Sequence, residues 1–336
     1  MTWTSGRGPI LKRRAVLAAG GALAVAGCDQ VQRPLFSADT HSKGYPTVKA
    51  VEAMGKLLED RTNGELSIRV YAGGQLGSES DTLEITIFGG LDLNRVNLAP
   101  LTPIAPVTAI LSLPFIFGSV GHARRTFDGA PGRAILDAIE PMGLIGLCYY
   151  DSGARSFYNR RGPLETPADM RGLKLRVPTS DVFVSMVGAA GANATPMPLG
   201  EVYQALLQGV VDGAENNWPS YESTRHHEVA PYYSLTEHVM APEVLVMSAR
   251  TWRKLTPELR DIVMGAARDS VGIMRGFWDE REIAARERLT AQGVKVNAVD
   301  RAAFAKAMEP VWDRFVRTPE MRRLVEDVRN LGNADA

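Results

Sequence analysis

Cysteine is scarce in this chain, which holds only Cys28 and Cys148 among its 336 residues. A structural zinc centre built from several thiolates is therefore excluded. Cys148 lies in the apolar run GLIGLCYY and is expected to be a small buried side chain. If Cys28 is lipidated, Cys148 is the one free thiol left and no intramolecular disulfide can form.

The common motifs of metalloproteases, serine hydrolases and P-loop enzymes are also missing. The chain contains no HExxH, GxSxG or GxxxxGK[ST] sequence. His226, His227 and Glu228 are adjacent, but neighbouring helical residues point about 100° apart and do not converge on a metal. We expect these three residues on a helix surface and predict no catalytic residue, no metal and no cofactor.

An excess of positive charge is lacking, because 38 basic residues face 38 acidic ones. The first 27 residues contain four basic residues and no acidic one, so the rest of the chain has 34 against 38. A mildly acidic protein has no basic surface for nucleic acid. The length exceeds one typical core and predicts two domains.

The N-terminal segment is typical of an export signal. Three basic residues, 12–14, precede an apolar run of about a dozen residues, which is too short to cross a bilayer. Arg13 and Arg14 resemble a twin-arginine signal, and the sequence VAGC ending at Cys28 resembles a lipobox. We predict a lipoprotein signal at 1–28, a tether at 29–39 and a periplasmic protein anchored to the inner membrane through Cys28. An ordinary cleaved signal is the alternative.

Strand and helix patterns alternate after the signal, which predicts an α/β fold with a largely parallel sheet. Gly143–Tyr150 and Leu173–Val177 are predicted strands. From Pro257 about 35 residues keep helical periodicity, and such a helix of about 50 Å is longer than one domain is wide. We predict a two-lobed clam-shell in which a long helix braces both lobes. Lobe I covers mainly 40–155, lobe II mainly 156–245, and 246–336 supply a returning strand, the brace helix and C-terminal helices.

Two arginines follow predicted strands and suggest a pocket for a small anion. Arg155 comes after GLIGLCYY and a short turn, and Arg176 ends LKLRV. Arginine matches a carboxylate with its planar fork, and ligand crevices in α/β sheets lie at the carboxyl ends of strands. For either arginine alone, a surface salt bridge is the alternative.

The segment DGAENNWPSYESTRHHEV contributes the third polar strand end. Asn216 and Asn217 are adjacent, and we expect one amide to cap the turn before Pro219 while the other faces the cleft. Trp218 is either core or a neighbour of a sugar ring, and beside a polar cleft the second interpretation is favoured. Glu79 and Arg95 are weaker candidates.

His41 is a further candidate, in the segment THSKGYP that opens the first predicted lobe. Its side chain could donate a hydrogen bond to a ligand hydroxyl. A surface histidine is the alternative.

Residues 38–315 resemble the periplasmic solute-binding subunits of tripartite ATP-independent periplasmic (TRAP) transporters, the DctP-like family. The resemblance rests on YAGGQLGSESDTLE, GLDLNRVNLAPL, SLPFIF and above all the middle of the chain from YYDSGARSF to the NNWPSYESTRHH segment. It implies two α/β lobes, a brace helix and a cleft that closes on an organic anion. It also implies no catalytic activity and delivery of the ligand to TRAP membrane subunits.

The family pattern also implies roles for single residues. The arginine of LKLRVP, here Arg176, pairs with the ligand carboxylate and Arg155 assists it. Asn216 completes that side of the pocket, while Glu79 and Arg95 fall where other members contact the far end of the ligand. A lipobox cysteine is a departure from many members and puts free diffusion in doubt.

The ligand class follows from two details of the resemblance. The NNWPSYESTRH version of the segment, together with NRV in the earlier strand, resembles members that bind hexuronates such as glucuronate and galacturonate. Asn217, Trp218, Arg95 and His41 would serve a hydroxylated ring with one carboxylate. C4-dicarboxylates or other organic acids are the alternative.

Overall fold

Eleven strands form two separate sheets in the computed structural model, which describes residues 1–2 and 33–332. The predicted signal, Cys28 and the start of the predicted tether lie outside the described residues. Residues 33–332 belong to one compact unit. The strands are β1 (Leu35–Ala38), β2 (Ile68–Tyr71), β3 (Leu93–Asn97), β4 (Leu144–Tyr150), β5 (Arg155–Asn159), β6 (Lys174–Val177), β7 (Asn193–Pro196), β8 (Gly213–Asn216), β9 (Tyr232–Val239), β10 (Glu243–Ser248) and β11 (Lys295–Asn297).

Helices cover both sheets. The helices are α1 (Pro46–Arg61), α2 (Glu79–Ile87), α3 (Val120–Asp128), α4 (Ala130–Asp137), α5 (Asp181–Ala189), α6 (Val202–Leu207), α7 (Trp218–Ser223), α8 (Ala249–Trp252), α9 (Pro257–Ala291), α10 (Arg301–Phe315) and α11 (Pro319–Gly332). No helix among the described residues is long and apolar enough to cross a membrane.

The first sheet has the order β2-β1-β3-β10-β4 and the second has the order β11-β9-β5-β8-β6-β7. β1 runs parallel to β2 and β3, whereas β10 runs antiparallel to β3 and β4. In the second sheet β6 is parallel to β7 and β8, and β5 is antiparallel to β8 and β9. The prediction of a largely parallel sheet is therefore wrong, because both sheets are mixed. The chain crosses to the second sheet after β4 and returns to the first after β9. The strands that follow these crossings, β5 and β10, run antiparallel to their neighbours.

The predicted brace helix is confirmed as α9, which spans 35 residues without interruption. Thr256 caps its start by accepting a hydrogen bond from the amide of Leu259, and Pro257 occupies the first turn, where its missing N–H costs nothing. Val263 and Met274 pack in the core of the first sheet. Ala285 and Leu289, further along, pack in the core beside the second sheet. One continuous helix thus supports both sheets.

Most predicted elements exist close to their predicted bounds, but one segment is different. The predicted tether 29–39 contains strand β1, which pairs Leu35 with Ile68 and Ala38 with Tyr71 of β2. Leu35 and Ala38 are buried. A run of four residues is too short for periodicity to reveal, so its pairing partners rather than its own pattern make it a strand.

The first crossover between the sheets, residues 151–154, is tightly held. Asp151 accepts hydrogen bonds from Arg124 at 2.5 Å and Arg275 at 3.2 Å. Gly153 adopts φ +58°, and a Cβ there would lie 3.1 Å from Trp278 and 3.0 Å from Glu282 of α9. A positive φ with this little room favours glycine. The crossover therefore rests directly on the brace helix.

Candidate ligand-binding site

A cavity of about 380 Å³ lies where carboxyl ends of strands from the two sheets face each other. Thr40, which follows β1, and the turn between β2 and α2 line one side. Arg176 of β6 and the segment after β7, from Met197 to Glu201, line the other. Strands β1 and β2 are parallel, as are β6 and β7, and parallel strands place their ligand crevice at this end.

Arg176 is a buried cation on the cavity wall, with only 3% of its surface exposed. Its Nε and Nη2 donate to the carbonyl oxygen of Met197 at 2.9 and 2.7 Å. No carboxylate of the described residues lies within ion-pair distance of its guanidinium. Burial lowers the pKa of Arg176, and the charge of Glu215 only partly opposes that. Because an unpaired buried charge is costly, this guanidinium is suited to an incoming anion.

Arg155 is also buried, but a carboxylate neutralises it. Its Nε and Nη2 donate to the two carboxylate oxygens of Glu215 at 2.6 and 2.7 Å. Burial alone would lower the pKa of Arg155, but Glu215 outweighs that effect and raises it. As predicted, Arg155 follows a strand and a short connecting segment, and it is the first residue of the next strand, β5. Arg155 is thereby one half of a buried ion pair.

Arg95 lies on β3 with no exposed side-chain surface and is surrounded by carboxylates. Its Nε and Nη2 donate to the carboxylate of Asp39, and its Nη1 donates to Glu243 at 2.5 Å and to Glu79 at 3.1 Å. A further Nη2 bond reaches Thr40. All five guanidinium N–H groups then have a partner. Arg95 thereby joins Glu79 to Asp39 and Glu243, and its contact with a ligand stays a prediction.

Glu79, the first residue of α2, carries the negative charge nearest the cavity on this side. Its Oε1 accepts hydrogen bonds from the amide of Asn97 at 2.9 Å, from Arg95 at 3.1 Å and from the hydroxyl of Thr40 at 3.4 Å. Burial raises the pKa of Glu79; Arg95 lowers it, and Glu243 raises it further. Oε2 has no hydrogen-bond partner in the described part of the chain and remains available.

The two adjacent asparagines have different roles. Asn217 caps α7 by accepting from the amide of Ser220 at 2.8 Å, and its Nδ2 donates to the carbonyl of Ser152 in the crossover at 2.8 Å. Asn216 ends β8, and its Oδ1 accepts only from the amide of Asn217. Its Nδ2 has no partner among residues 33–332. The expected cap exists and is Asn217. That Asn216 faces the cleft stays a prediction, because Asn216 is not among the residues that line the cavity.

Trp218 packs among aromatic side chains in the interior, and its contact with a ligand ring stays a prediction. The indole is 5% exposed and stacks on Tyr233 with ring centroids 4.0 Å apart. It belongs to a core cluster that also contains Tyr158 and Tyr221. An apolar ring beside a polar strand end is here covered by aromatic neighbours from β5, α7 and β9.

Four histidines of the described residues are buried, among them His41, His226 and His238. The ring of His41 stacks on that of Tyr45, with ring centroids 3.8 Å apart. Burial and the charges of Arg95 and Arg155 lower the pKa of His41 well below its ordinary value. His226 accepts from or donates to the hydroxyl of Tyr158 through Nδ1 at 2.7 Å. His238 lies against Phe157, with ring centroids 4.2 Å apart. The surface prediction for His226 is wrong because a tight turn folds it under α7.

No group of three or more histidine, cysteine or acidic side chains in the described part of the chain is arranged to hold a metal ion. The pair His226 and His227 illustrates the reason, since only the first is buried. The site is thus built from hydrogen bonds and charges of arginine, carboxylate and amide groups.

The sequence and the fold both match known proteins. Residues 37–318 match the model of the bacterial extracellular solute-binding proteins, family 7, called DctP. The chain belongs to this family. The predicted resemblance to the solute-binding subunits of TRAP transporters is therefore confirmed, and so is the two-sheet fold with a long helix.

Three solved structures of the family are close to this one. A TRAP periplasmic solute-binding protein from a Bradyrhizobium species, in complex with D-galacturonate, is 49% identical with a TM-score of 0.88, over 89% of this chain and 100% of that one. One from Xanthobacter autotrophicus, with bound β-D-galacturonate, is 46% identical with a TM-score of 0.87, over 88% and 99%. One from Chromohalobacter salexigens, with bound D-glucuronate, is 43% identical with a TM-score of 0.86, over 88% and 99%.

Of the predicted ligand-binding residues, Arg176 and Glu79 line the cavity of this family member, on opposite sides. Arg155 lies behind the Arg176 side and Arg95 behind the Glu79 side, each in an ion pair. The individual ligand contacts stay predictions.

Sequence reasoning missed the carboxylates that hold the buried arginines. Glu215 pairs with Arg155, while Asp39 and Glu243 pair with Arg95. A usable signal exists, because Glu215 and Glu243 are acidic residues within short strands whose other side chains are all buried. A charged residue in such a strand is almost never buried without a partner. Met197 also lines the cavity, and its carbonyl oxygen orients Arg176.

Proposed function

We propose that this chain is the solute-binding receptor of a TRAP transporter and that it binds a hexuronate, with D-galacturonate and D-glucuronate as the prime ligands. The observation that carries the proposal is the buried guanidinium of Arg176, which lines the cavity and has no ion-pair partner among residues 33–332. A ligand carboxylate would supply that charge through two parallel hydrogen bonds. Uronates bound to the three structural relatives support the choice of ligand.

The remaining contacts follow from the geometry of the free polar groups. The Nδ2 of Asn216 and the Oε2 of Glu79 offer a donor and an acceptor for ring hydroxyls. Arg155 supports this side of the site through Glu215, which also compensates part of the charge of Arg176. The proposed role is binding and release with no chemical change in the ligand.

Closure of the two sheets around the ligand completes the proposed mechanism. Lobe I would comprise mainly residues 40–155 and lobe II mainly 156–245, with the crossover 151–154 as one hinge strand and α9 as the brace. A ligand that contacts both lobes binds the closed form better and so shifts the protein toward it. The closed complex would then deliver the acid to TRAP membrane subunits.

The proposed location is the periplasm, with the protein held at the inner membrane by lipidated Cys28. The basic residues, the short apolar run and the VAGC sequence support this. Radiolabelled palmitate should enter the wild-type protein and not Cys28→Ala expressed in the same bacterium. Equal labelling of both proteins would contradict the anchor.

The proposed ligand class can be tested on wild-type protein by thermal unfolding with a panel of acids. A ligand at 100 times its dissociation constant stabilises the protein by about 2.7 kcal/mol. We expect D-galacturonate and D-glucuronate to raise the melting temperature by several degrees and D-galactose, which lacks the carboxylate, to leave it unchanged. A larger effect of succinate or malate would instead support a C4-dicarboxylate receptor. No effect from any acid would contradict the function.

A further inference from the structure

The charges on the cavity wall are strongly unequal. Its lining includes one cation, Arg176, and three carboxylates, Glu79, Asp81 and Glu201. The carboxylate of Asp81 accepts from the amide and the hydroxyl of Ser78, and these bonds lower its pKa. Glu201 has no ion-pair partner within residues 33–332. A ligand in this cavity therefore has one position for a negative charge, at Arg176.

The charge of Glu79 is not cancelled by the arginine behind it. Arg95 donates to three carboxylates, those of Glu79, Asp39 and Glu243. One guanidinium among three carboxylates leaves that group with an excess of negative charge. The three hydrogen bonds to Oε1 of Glu79 fix its side chain in this position. Burial and Glu243 raise the pKa of Glu79, and the donors to Oε1 oppose that rise by favouring the ionised form. In the ionised form the unbonded Oε2 presents a negative charge to the cavity that Glu79 lines.

A ligand anchored at Arg176 extends toward this acidic side. A hydroxyl at its far end can donate a hydrogen bond to Oε2 of Glu79. A second carboxylate at the same end has no proton to donate and is repelled by Glu79 and by Asp81, which lies on the same side of the cavity. Repulsion between like charges that are partly removed from water is strong enough to decide specificity.

We propose that Glu79 makes the cavity selective for acids with a single carboxylate and rejects dicarboxylates. This inference rests on the proposed function, because it takes Arg176 as the anchor of the ligand carboxylate. It names Glu79 as the residue that separates a sugar acid from the corresponding diacid and from C4-dicarboxylates. The selectivity arises from a charge fixed by Arg95 rather than from the shape of the cavity.

The test compares D-galactonate with galactarate, two open-chain acids that differ only in the far end, which is CH₂OH in one and carboxylate in the other. Calorimetry on wild-type protein should give an affinity for galactarate at least 100-fold below that for galactonate. We call the ratio of the affinity for galactonate to that for galactarate the gap. In Glu79→Gln, which keeps the shape of the side chain but loses its charge, the gap should shrink at least tenfold. Glu79→Asp should retain most of the gap.

Glu201→Gln is the matched control, because it removes a carboxylate from the cavity lining on the opposite, Arg176 side and leaves Glu79 and Arg95 unchanged. In this variant the ratio of the two affinities should change less than threefold. A gap in Glu79→Gln within threefold of the wild-type gap overturns the proposal, as does galactarate binding within threefold of galactonate in wild type. If Glu79→Gln does not fold, the wild-type comparison decides. D-Galacturonate is titrated in parallel. Its failure to bind wild type would contradict the proposed function itself, whereas its binding with an unaltered gap contradicts only the role of Glu79.

Discussion

Arg176 and Met197 are joined by two hydrogen bonds, from Nε and Nη2 of the guanidinium to one carbonyl oxygen, at 2.9 and 2.7 Å. This contact fixes the direction of the side chain but supplies no countercharge. Arg155, of nearly equal burial, has the carboxylate of Glu215. The two arginines thus provide a comparison between a cation kept ready for a ligand and a cation used for structure.

Removing each arginine should change stability in different directions. Arg176→Met deletes an unpaired buried charge, so the ligand-free protein should unfold at the same denaturant concentration as wild type or a higher one, with a gain of up to about 2 kcal/mol. Arg155→Met leaves Glu215 buried and unpaired and should cost about 3–5 kcal/mol. Urea unfolding without ligand measures both values. A loss of 3 kcal/mol or more in Arg176→Met would contradict the unpaired charge.

Substitutions of the two adjacent asparagines should also have different effects, one on stability and the other on ligand binding. Asn217→Ala removes the cap of α7 and the bond to Ser152, which should lower the unfolding free energy by about 1–2 kcal/mol. Asn216→Ala should cost less stability but weaken D-galacturonate binding by about tenfold, the value of one hydrogen bond. Urea unfolding and calorimetry on both variants give the comparison. Weaker binding in Asn217→Ala than in Asn216→Ala would reverse the assignment.

The crossover between the sheets should tolerate no side chain at Gly153. Alanine there must adopt a left-handed backbone and meet Trp278 and Glu282, so Gly153→Ala should lose about 2 kcal/mol of unfolding free energy. Gly188→Ala is the control, since Gly188 lies within α5 with open space around it and should gain about 0.5–1 kcal/mol. Equal stability of the two variants would show that the crossover is not constrained.

Acid should destabilise the protein through its buried histidines. Burial and the charge of Arg176 lower the pKa of His226 to about 3, and burial and Arg155 lower that of His238 to about 3. Between the ordinary value of about 6.5 and about 3 the unfolded chain takes up protons that the folded protein refuses. The unfolding free energy should therefore fall as pH decreases through this window, by about 1.4 kcal/mol per pH unit for each histidine.

His226→Asn isolates one of these contributions, because its amide oxygen can still accept from Tyr158. Between pH 6 and pH 5 the unfolding free energy of this variant, measured by urea unfolding, should fall by about 1.4 kcal/mol less than that of wild type. His227→Asn, at the half-exposed neighbouring position, should behave like wild type. An identical acid loss in all three proteins would mean that His226 is not held neutral by the fold.

The long-range arrangement of the chain could be predicted where local patterns were strong. The 35-residue run from Pro257, free of internal proline, identified the brace helix with its correct ends. Apolar runs such as Leu144–Tyr150 identified central strands. Short strands such as β1 and β7, with four residues each, carry too little pattern and depend on their partners. The antiparallel entry of β10 depends on where the chain crosses between sheets, which no local signal records.

The site shows the same division. Arg176 could be chosen from its place at a strand end, and a cap could be predicted within the pair Asn216 and Asn217 from its place before Pro219, but not which of the two it is. Whether each arginine is paired with a carboxylate could not be predicted, because the partners are distant in sequence. Glu215 is 60 residues from Arg155, and Glu243 is 148 residues from Arg95. The aromatic packing of Trp218 could not be predicted, because its polar neighbours in sequence differ from its aromatic neighbours in space.

The central claim is that Arg176 holds the ligand carboxylate. Calorimetric titration of D-galacturonate into wild type, Arg176→Lys and Arg176→Met tests it most directly. Wild type should bind, Arg176→Lys should bind more weakly because it keeps the charge without the planar fork, and Arg176→Met should lose about 100-fold or more. Binding by folded Arg176→Met within threefold of the wild-type affinity would contradict the account.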